Sequence, residues 1–337
     1  MYSAARPMHC GIEYLRGRSL ILNRLDVDMH VHSRTSACGY STHQRLLELA
    51  VASERGMLAV TDHDSAAGGV AVRDLARRNS DDILVLVGME LTTTDFGHVI
   101  VFGRGVEEDW GWVKNSPFPT DIPAHWVAIQ AHPYRGAITV TDGAVDAPEL
   151  PSLPERIDAV EVWNGGDRIK KSPHLRAEYH DLSWSHVRRN GKVGVASSDG
   201  HRPIWVHSYF TRFERPVESI EGFVDQLRAG TVTPQSQDDA HLQWCYEGHR
   251  RREVIEWQQA GKDWRGLATA GGHDLETAAG VLATFERVQN LDFRGATMAQ
   301  IAGETTLETH MVAEYLDIVD EEKHSSAKRE AKSRLRR

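Results

Sequence analysis

With 337 residues, 40% of them hydrophobic and 26% charged, the chain is long enough for one large domain with an appendage or for two domains. Its formal net charge of −9 argues against a generic nucleic-acid coat and leaves room only for a local basic patch. Three cysteines without paired spacing make no disulfide framework, no run approaches the ~20 apolar residues of a membrane span, and the opening "MYSAARPMHCGIEYLRGRSL" lacks the apolar core of a secretory signal; a cytoplasmic protein is expected.

In chain order, apolar β-rich runs recur and each meets a polar cluster. "RSLILNRLDVD" leads into His30 and His32. Residues i and i+2 of an extended strand share a face, so these imidazoles project side by side, with Asp28 on the same face. They suit one metal ion, or equally a half-buried strand that carries histidine. Thr42 to Arg55 then predicts a helix capped by Thr42, with Leu46, Leu47, Ala50 and Val51 on one face. "GMLAVTDHD" brings His63, and "ILVLVGMEL" ends around Glu90. "GHVIVFG" follows as a second hairpin arm opening on His98. "WVAIQAHPYRG" ends at His132, "IDAVEVWNGG" at Asn164, and "GKVGVASSDGH" at Asp199 and His201. Leu175 to Arg189 and Ile220 to Ala229 read as two more helices. Strands alternating with helices predict an α/β architecture with a largely parallel sheet.

Each cluster has a plain structural reading: a capped turn for "TDHD", a solvated strand end for Glu90, a hairpin residue for His98, a core histidine for His132, and a turn for "SSDGH". Their common phase with the apolar runs says more, because α/β barrels carry their chemistry where strands end. The nitrogen and oxygen donors suit zinc, manganese or iron, and their number exceeds the needs of one ion. No "GxSxG" elbow occurs, and "GGV" at Gly68 is too short to cradle a nucleotide. An amidohydrolase-type barrel, the main competing enzyme, also ends a strand in "HxH" but normally wants a lysine that is not found at a strand end.

The ordered set "DMHVHS", "TDHD", the Glu90 strand end, "GHVIVFG", "AHP", "VEVWNGG" and "SSDGH" resembles the PHP (polymerase and histidinol phosphatase) family over about residues 22–235. The resemblance implies a distorted seven-stranded (β/α) barrel whose two or three divalent ions hydrolyse phosphoesters. It gives His30, His32, Glu90 and Asp199 to one ion, and Glu90 as a bridge to a second completed by His98 and His132. His63 and His201 would serve a third, with a ligand from the loop after "HVHS". That loop departs from the family: it carries Ala37 and Cys38 where aspartate or histidine is common. Cys38 as a thiolate, or His43, would have to substitute, and a two-metal site is the preferred reading. Asp199 would also orient the attacking water. His201 or His63, if not held by a third ion, would protonate the leaving group. Arg135 is the first candidate for the phosphoryl oxygens, followed by Arg168, Lys170 and Lys171, for which a solvated loop is the plainer reading. Asp28 and Asp64 are expected to orient imidazoles.

From about His241 the chain reads as helices. Leu275 to Val288, "ATMAQIAGET" and "TLETHMVAEYLDIVDEE" lay out as a helix-turn-helix over 241–322. Glu308, Glu314, Asp317 and Asp320 on the reading helix would repel phosphates, so an all-α packing or dimerisation appendage is the preferred reading. The basic stretch 323–337 is expected to be a disordered tail. The functional expectation is a phosphatase on a small phosphomonoester such as a nucleotide. The alternative is a nuclease that recruits DNA or RNA through the C-terminal helices, and a scaffolding relative with a degenerate site is a third reading. Partners are then a phosphorylated small molecule or short oligonucleotide, with no membrane and with the oligomeric state open.

Overall fold

The protein is represented by a computed structural model that describes residues 24–52, 56–79, 81–108, 110–119, 121–135, 137–141, 144–166, 176–270 and 275–320. Two compact units are distinguished: residues 23–251, and a second described over 252–320. Arg168, Lys170, Lys171 and the basic stretch 323–337 lie outside the described residues.

In the first unit, six strands share a sheet in the order β2 (Met57–Val60), β3 (Leu84–Thr92), β4 (His98–Phe102), β5 (Val127–Ala131), β8 (Ala159–Asn164) and β9 (Val193–Ser197). The pairs β2–β3, β5–β8 and β8–β9 are parallel. β4 runs antiparallel to both neighbours, beside β3 as the second hairpin arm that the sequence predicts. A connection as short as residues 93–97 can only return the chain beside itself, because a parallel neighbour needs a crossover of a dozen residues or so. The strands are near-continuous apolar runs because both faces are covered, and β3 is buried from Val85 to Leu91.

A second sheet pairs β1 (Asp26–Val27), β10 (Tyr209–Phe213) and β11 (Val232–Ser236) antiparallel, and the short β6 (Thr139–Thr141) and β7 (Ala144–Asp146) pair with each other. β1 is far shorter than the strand expected before the histidine pair. His30 and His32 instead sit just beyond it, on an extended segment between the outer strands of the larger sheet. His32 N–H donates to Gly200 O, Gly200 N–H donates to His30 O, and Thr61 N–H donates to Val31 O, at 3.0, 3.0 and 2.9 Å. The sheet thus has six strands with this segment linking its two edges, in place of seven regular strands.

Helices α1 (His43–Ala52), α2 (Ala67–Asn79), α3 (Arg176–Asn190) and α4 (Ile220–Ala229) belong to the same unit. Arg45 N–H donates to Thr42 Oγ1 at 3.0 Å, the cap expected from sequence. α4 is capped by Ser219 and stopped by Gly230 in the left-handed region. Its Phe223 and Leu227 pack into a core with Leu86, Ile100, Phe102, Ile129 and Phe213. The Phe102 and Phe223 rings meet edge to face at 5.1 Å.

α5 (Asp239–Gln259) is followed in the second unit by α6 (Trp264–Ala270), α7 (Leu275–Phe293), α8 (Met298–Thr305) and helical residues 309–320. Thr297 and Gln300 form a reciprocal capping box on α8, and Thr306 ends it at φ 58°. The expected order of helix, short helix, turn and helix is present. However, the final helix buries every residue from Val312 to Val319, including Glu314 and Asp317, so these two acids do not line an exposed reading face. No helix among the described residues is long and apolar enough to cross a membrane.

Candidate metal centre

The site collects at one rim of the larger sheet. His63 follows β2, His132 follows β5, and Asp199 and His201 follow β9. His98 instead opens its strand, and the reversed direction of β4 brings that start to the rim where its neighbours end, in register with Thr92 and Ala131. Glu90 lies inside β3, where His63 forms a bridge beside it. Two sharp reversals aim the later donors: His132 has φ 27° and Asp199 φ 51°, a left-handed region disfavoured for side chains other than glycine.

The buried Glu90 carboxylate is the hub. Its Oε1 lies 2.8 Å from His98 Nδ1 and 3.1 Å from His132 Nε2. Its Oε2 lies 3.1, 3.2 and 3.1 Å from His30 Nε2, His32 Nε2 and His63 Nδ1. Asp199 Oδ1 faces His32 Nε2 at 3.2 Å, His201 Nδ1 at 3.3 Å and His30 Nε2 at 3.4 Å. Its other oxygen is paired with the Arg135 guanidinium, which also donates to Asn164 Oδ1 at 2.9 Å. Gly166 leaves room for this pair, because a Cβ there would collide with both partners.

These atoms are close but poorly arranged for bonding to one another. His30 Nε2 and His32 Nε2 stand 3.1 Å apart and crowd the same Glu90 oxygen. Glu90 Oε2, His63 Nδ1 and His98 Nδ1 are buried without a hydrogen bond of acceptable geometry. Converging lone pairs without partners suit a shared cation, so the donor set fits divalent metal. Four overlapping groups have ligand atoms within 4.8 Å of one another: His30, His32 and Asp199; His30, Glu90 and His132; His63, Glu90 and His98; and His32, Cys38, His63 and His201. His98 and His132, expected together on one ion, fall into different groups around Glu90. His43 joins none of them; its Nε2 bonds Thr35 Oγ1 at 3.0 Å.

The charges of the cluster act on one another at short range. Burial works against the charged His30 imidazole, but Glu90, Asp199 and Glu161 together hold it well above its ordinary value. Burial likewise opposes charge on His32, yet Asp199 and Glu90 push it up to about 9. Burial opposes ionised Glu90 and Asp199 too; His30 for the first, and Arg135 then His30 for the second, hold them well below the usual carboxylate range. His63 goes the other way: burial pushes it down to about 4 despite Glu90, so it is neutral and available as a nitrogen donor.

The carboxylate that orients an imidazole is Glu161, not the expected Asp28 or Asp64. Glu161 Oε1 takes His30 Nδ1 at 3.0 Å and the Ser197 hydroxyl; Oε2 takes His132 N–H at 2.8 Å and Asn164 Nδ2 at 2.6 Å. Asp28 holds backbone instead, accepting from Ser198 N–H, Ser198 Oγ and His207 N–H at 2.9, 2.5 and 2.7 Å, so it anchors the turn that carries Asp199. Asp64 turns away to Thr92, Trp112 and Lys114. Asp62 was also not singled out from sequence. It accepts from Ser33 N–H and Oγ at 2.8 and 2.6 Å and from Ser36 Oγ at 2.7 Å, pinning the loop after the histidine pair. The one sequence signal for Glu161 is a lone acid between Val160 and Val162 in an apolar strand.

A family model described as PHP-associated matches residues 177–232. The phosphoribosyl 1,2-cyclic phosphate 1,2-diphosphodiesterase of Eggerthella lenta is 41% identical over 86 residues, 24% of this chain and 31% of its own length; the chain thus spans under a third of that curated relative in the match. Among solved structures, PsfC from Pseudomonas syringae covers 67% of this chain and 98% of its own at 15% identity and a TM-score of 0.46. A putative metal-dependent phosphoesterase from Bifidobacterium adolescentis covers 52% of this chain and 87% of its own at 16% identity and a TM-score of 0.33.

Proposed function

We propose that this chain, PHP-like both in its ordered motifs and in its match to the PHP-associated model, is a metal-dependent hydrolase of phosphoesters. The observation that carries the reading is the convergence of five imidazoles on buried Glu90, with Asp199 closing the His30–His32 side. His30, His32, Glu90 and Asp199 would hold one divalent ion, and Glu90 would share a second with His63 and His98, leaving His132 on the His30 side of the same carboxylate; manganese, iron and zinc all accept this mixture. When bound, such ions neutralise phosphoryl oxygens, lower the pKa of a coordinated water and stabilise the leaving oxygen.

The chain's own groups do the rest. Glu90 fixes the spacing of the donors through its two oxygens. Asp199, held in its orientation by Arg135, positions the attacking water. Arg135 stands at the rim, its side chain about one-third exposed (34%), where its guanidinium reaches a phosphoryl oxygen while keeping Asp199. His63 is read as a ligand rather than an acid because its Nδ1 lies 3.1 Å from Glu90 Oε2, within the converging donors. His201, whose Nδ1 already faces Asp199, is read the same way, and the leaving oxygen then takes its proton from solvent at the rim. Residues 22–235 are read as the catalytic domain, 241–322 as a helical module and 323–337 as a basic tail. A cytoplasmic setting agrees with the free thiols of Cys38 and Cys245.

The first substrate reading is a small phosphomonoester such as a nucleotide, since an acidic protein discourages long polyanions. A small phosphodiester is the second, supported by the name of the Eggerthella relative, a diphosphodiesterase of a cyclic sugar phosphate. The nuclease reading is weakened by the burial of residues 312–319. The deciding experiment is manganese-dependent product release from a matched panel of mononucleotides, sugar phosphates, cyclic phosphodiesters and short DNA and RNA, with wild type and Asp199→Asn. Release from a small ester that vanishes in the variant supports the proposal. Release that survives the variant overturns the placement of the metals.

A further inference from the structure

We propose that Cys38 is a metal ligand: its sulfur, with the imidazoles of His63 and His201 and with His32 at the edge, makes a thiolate-bearing position that takes a thiophilic divalent ion such as zinc in preference to manganese or magnesium. The inference rests on the metal-centre reading above and adds to it a position that the sequence left weak or empty.

Geometry is the first support. One ligand atom from each of His32, Cys38, His63 and His201 lies within 4.8 Å of the others. Zinc–sulfur and zinc–nitrogen bonds place tetrahedral neighbours roughly 3.5 Å apart, so side-chain adjustment on the scale of about 1 Å closes the set.

The loop that carries Cys38 is the second. It is tied to both of the segments that supply the imidazoles. Ser36 Oγ accepts His63 N–H at 2.8 Å and itself donates to Asp62 at 2.7 Å, just before Cys38. Just after it, Tyr40 N–H donates to His201 O at 2.9 Å. Between these anchors, Gly39 lies so close to Ser33 that a Cβ would strike its carbonyl, so the turn admits only glycine there. The thiol is therefore held between its proposed co-ligands by the backbone, and is half-buried beside them.

Donor chemistry is the third. The groups built on Glu90 and Asp199 contain carboxylates, which oxygen-loving ions accept; this one offers a sulfur and imidazoles, with no carboxylate. Soft sulfur selects zinc, cobalt or iron over magnesium and manganese. A thiol must lose its proton to ligate, so that proton passes to solvent as the metal–sulfur bond forms.

The test uses full-length protein loaded with cobalt(II), read by the near-ultraviolet sulfur-to-cobalt charge-transfer band and by metal content per chain. A Cys10→Ser/Cys245→Ser double variant, which keeps only Cys38, is expected to retain the band. Cys38→Ser is expected to lose it, to bind one ion fewer, and to show a Kd for its last zinc raised at least about ten-fold. Cys38→Asp is expected to recover the ion count without the band, which separates a ligand role from a folding defect. Cobalt bound without a band, or a band or zinc stoichiometry unchanged in Cys38→Ser, overturns the proposal while leaving the other two positions intact. Failure to bind cobalt at all overturns both readings together.

Discussion

Glu161 accepts His30 Nδ1 at 3.0 Å from within β8, and so turns the opposite nitrogen of His30 toward Glu90 and Asp199. The same carboxylate takes His132 N–H and Asn164 Nδ2, so one buried acid sets two elements of the site at once. Glutamine would supply one acceptor oxygen for four donors. Glu161→Gln is therefore expected to weaken metal binding by about 10–100-fold with the overall fold retained. Metal titration beside circular dichroism checks this; unchanged affinity would remove the orienting role.

Gly166 faces the Arg135–Asp199 pair closely enough that any side chain must displace one of them. Arg135 can swing outward, while Asp199 is buried and cannot. Gly166→Ala is expected to cost about 1–3 kcal/mol of stability by overpacking and to reduce turnover more than Arg135→Lys does. Urea unfolding and steady-state rates on whichever ester proves active would measure the two effects separately.

Ions that bind only the folded centre must stabilise it by mass action. Manganese or zinc at a hundred times its Kd is expected to add about 2.7 kcal/mol to unfolding, seen as a later urea midpoint reversed by a chelator. Glu90→Ala removes the shared carboxylate and should abolish the increment. An equal metal-induced shift in that variant would place the ion elsewhere.

His186 provides a pH readout away from the metal centre. It is buried (1% exposed), with Nε2 on Gln130 Oε1 at 3.0 Å and Nδ1 on Arg189 at 3.0 Å. Burial, and then the Arg189 guanidinium, push it down to about 4 from 6.5. The unfolded chain therefore takes up this proton first as pH falls. The contribution to stability is full above about 6.5 and is lost as pH falls from there through about 4. Across that window wild type is expected to lose about 2 kcal/mol more than His186→Gln. Parallel slopes in urea unfolding at stepped pH would show that the imidazole is not the titrating group.

Phe223 is fully buried between Phe102 and Phe213, with ring centroids at 5.1 and 5.4 Å. It anchors α4 to the core of the sheet. Phe223→Ala should cost about 3–5 kcal/mol, against under about 1.5 kcal/mol for a nearly volume-conserving Phe223→Leu if the core repacks. Equal losses for both would mean that ring stacking, rather than volume, dominates there.

By itself, the sequence determined which side chains are candidate donors and where each stands relative to its apolar run. Alternation and the phase of polar clusters against apolar runs are local properties, so His30, His32, His63, Glu90, His98, His132, Asp199 and His201 could all be marked without a fold, and the hairpin arm at "GHVIVFG" could be read from its spacing. Tertiary structure decided which of these groups meet. That Glu161, rather than Asp28 or Asp64, orients His30 depends on how β8 lies against the extended segment 30–32, and no local period carries a relation between strands so distant in sequence. The hairpin implies the reversed direction of β4, but that its start reaches a rim built from the ends of β2, β5 and β9 is a matter of topology. Cys38, a candidate ligand in sequence only as a substitute in a departing loop, has that loop fastened from two sides by Asp62, His63 and His201. Donor identity is encoded residue by residue, but coordination is a property of converging backbone segments, and only the packed sheet specifies the distances between them.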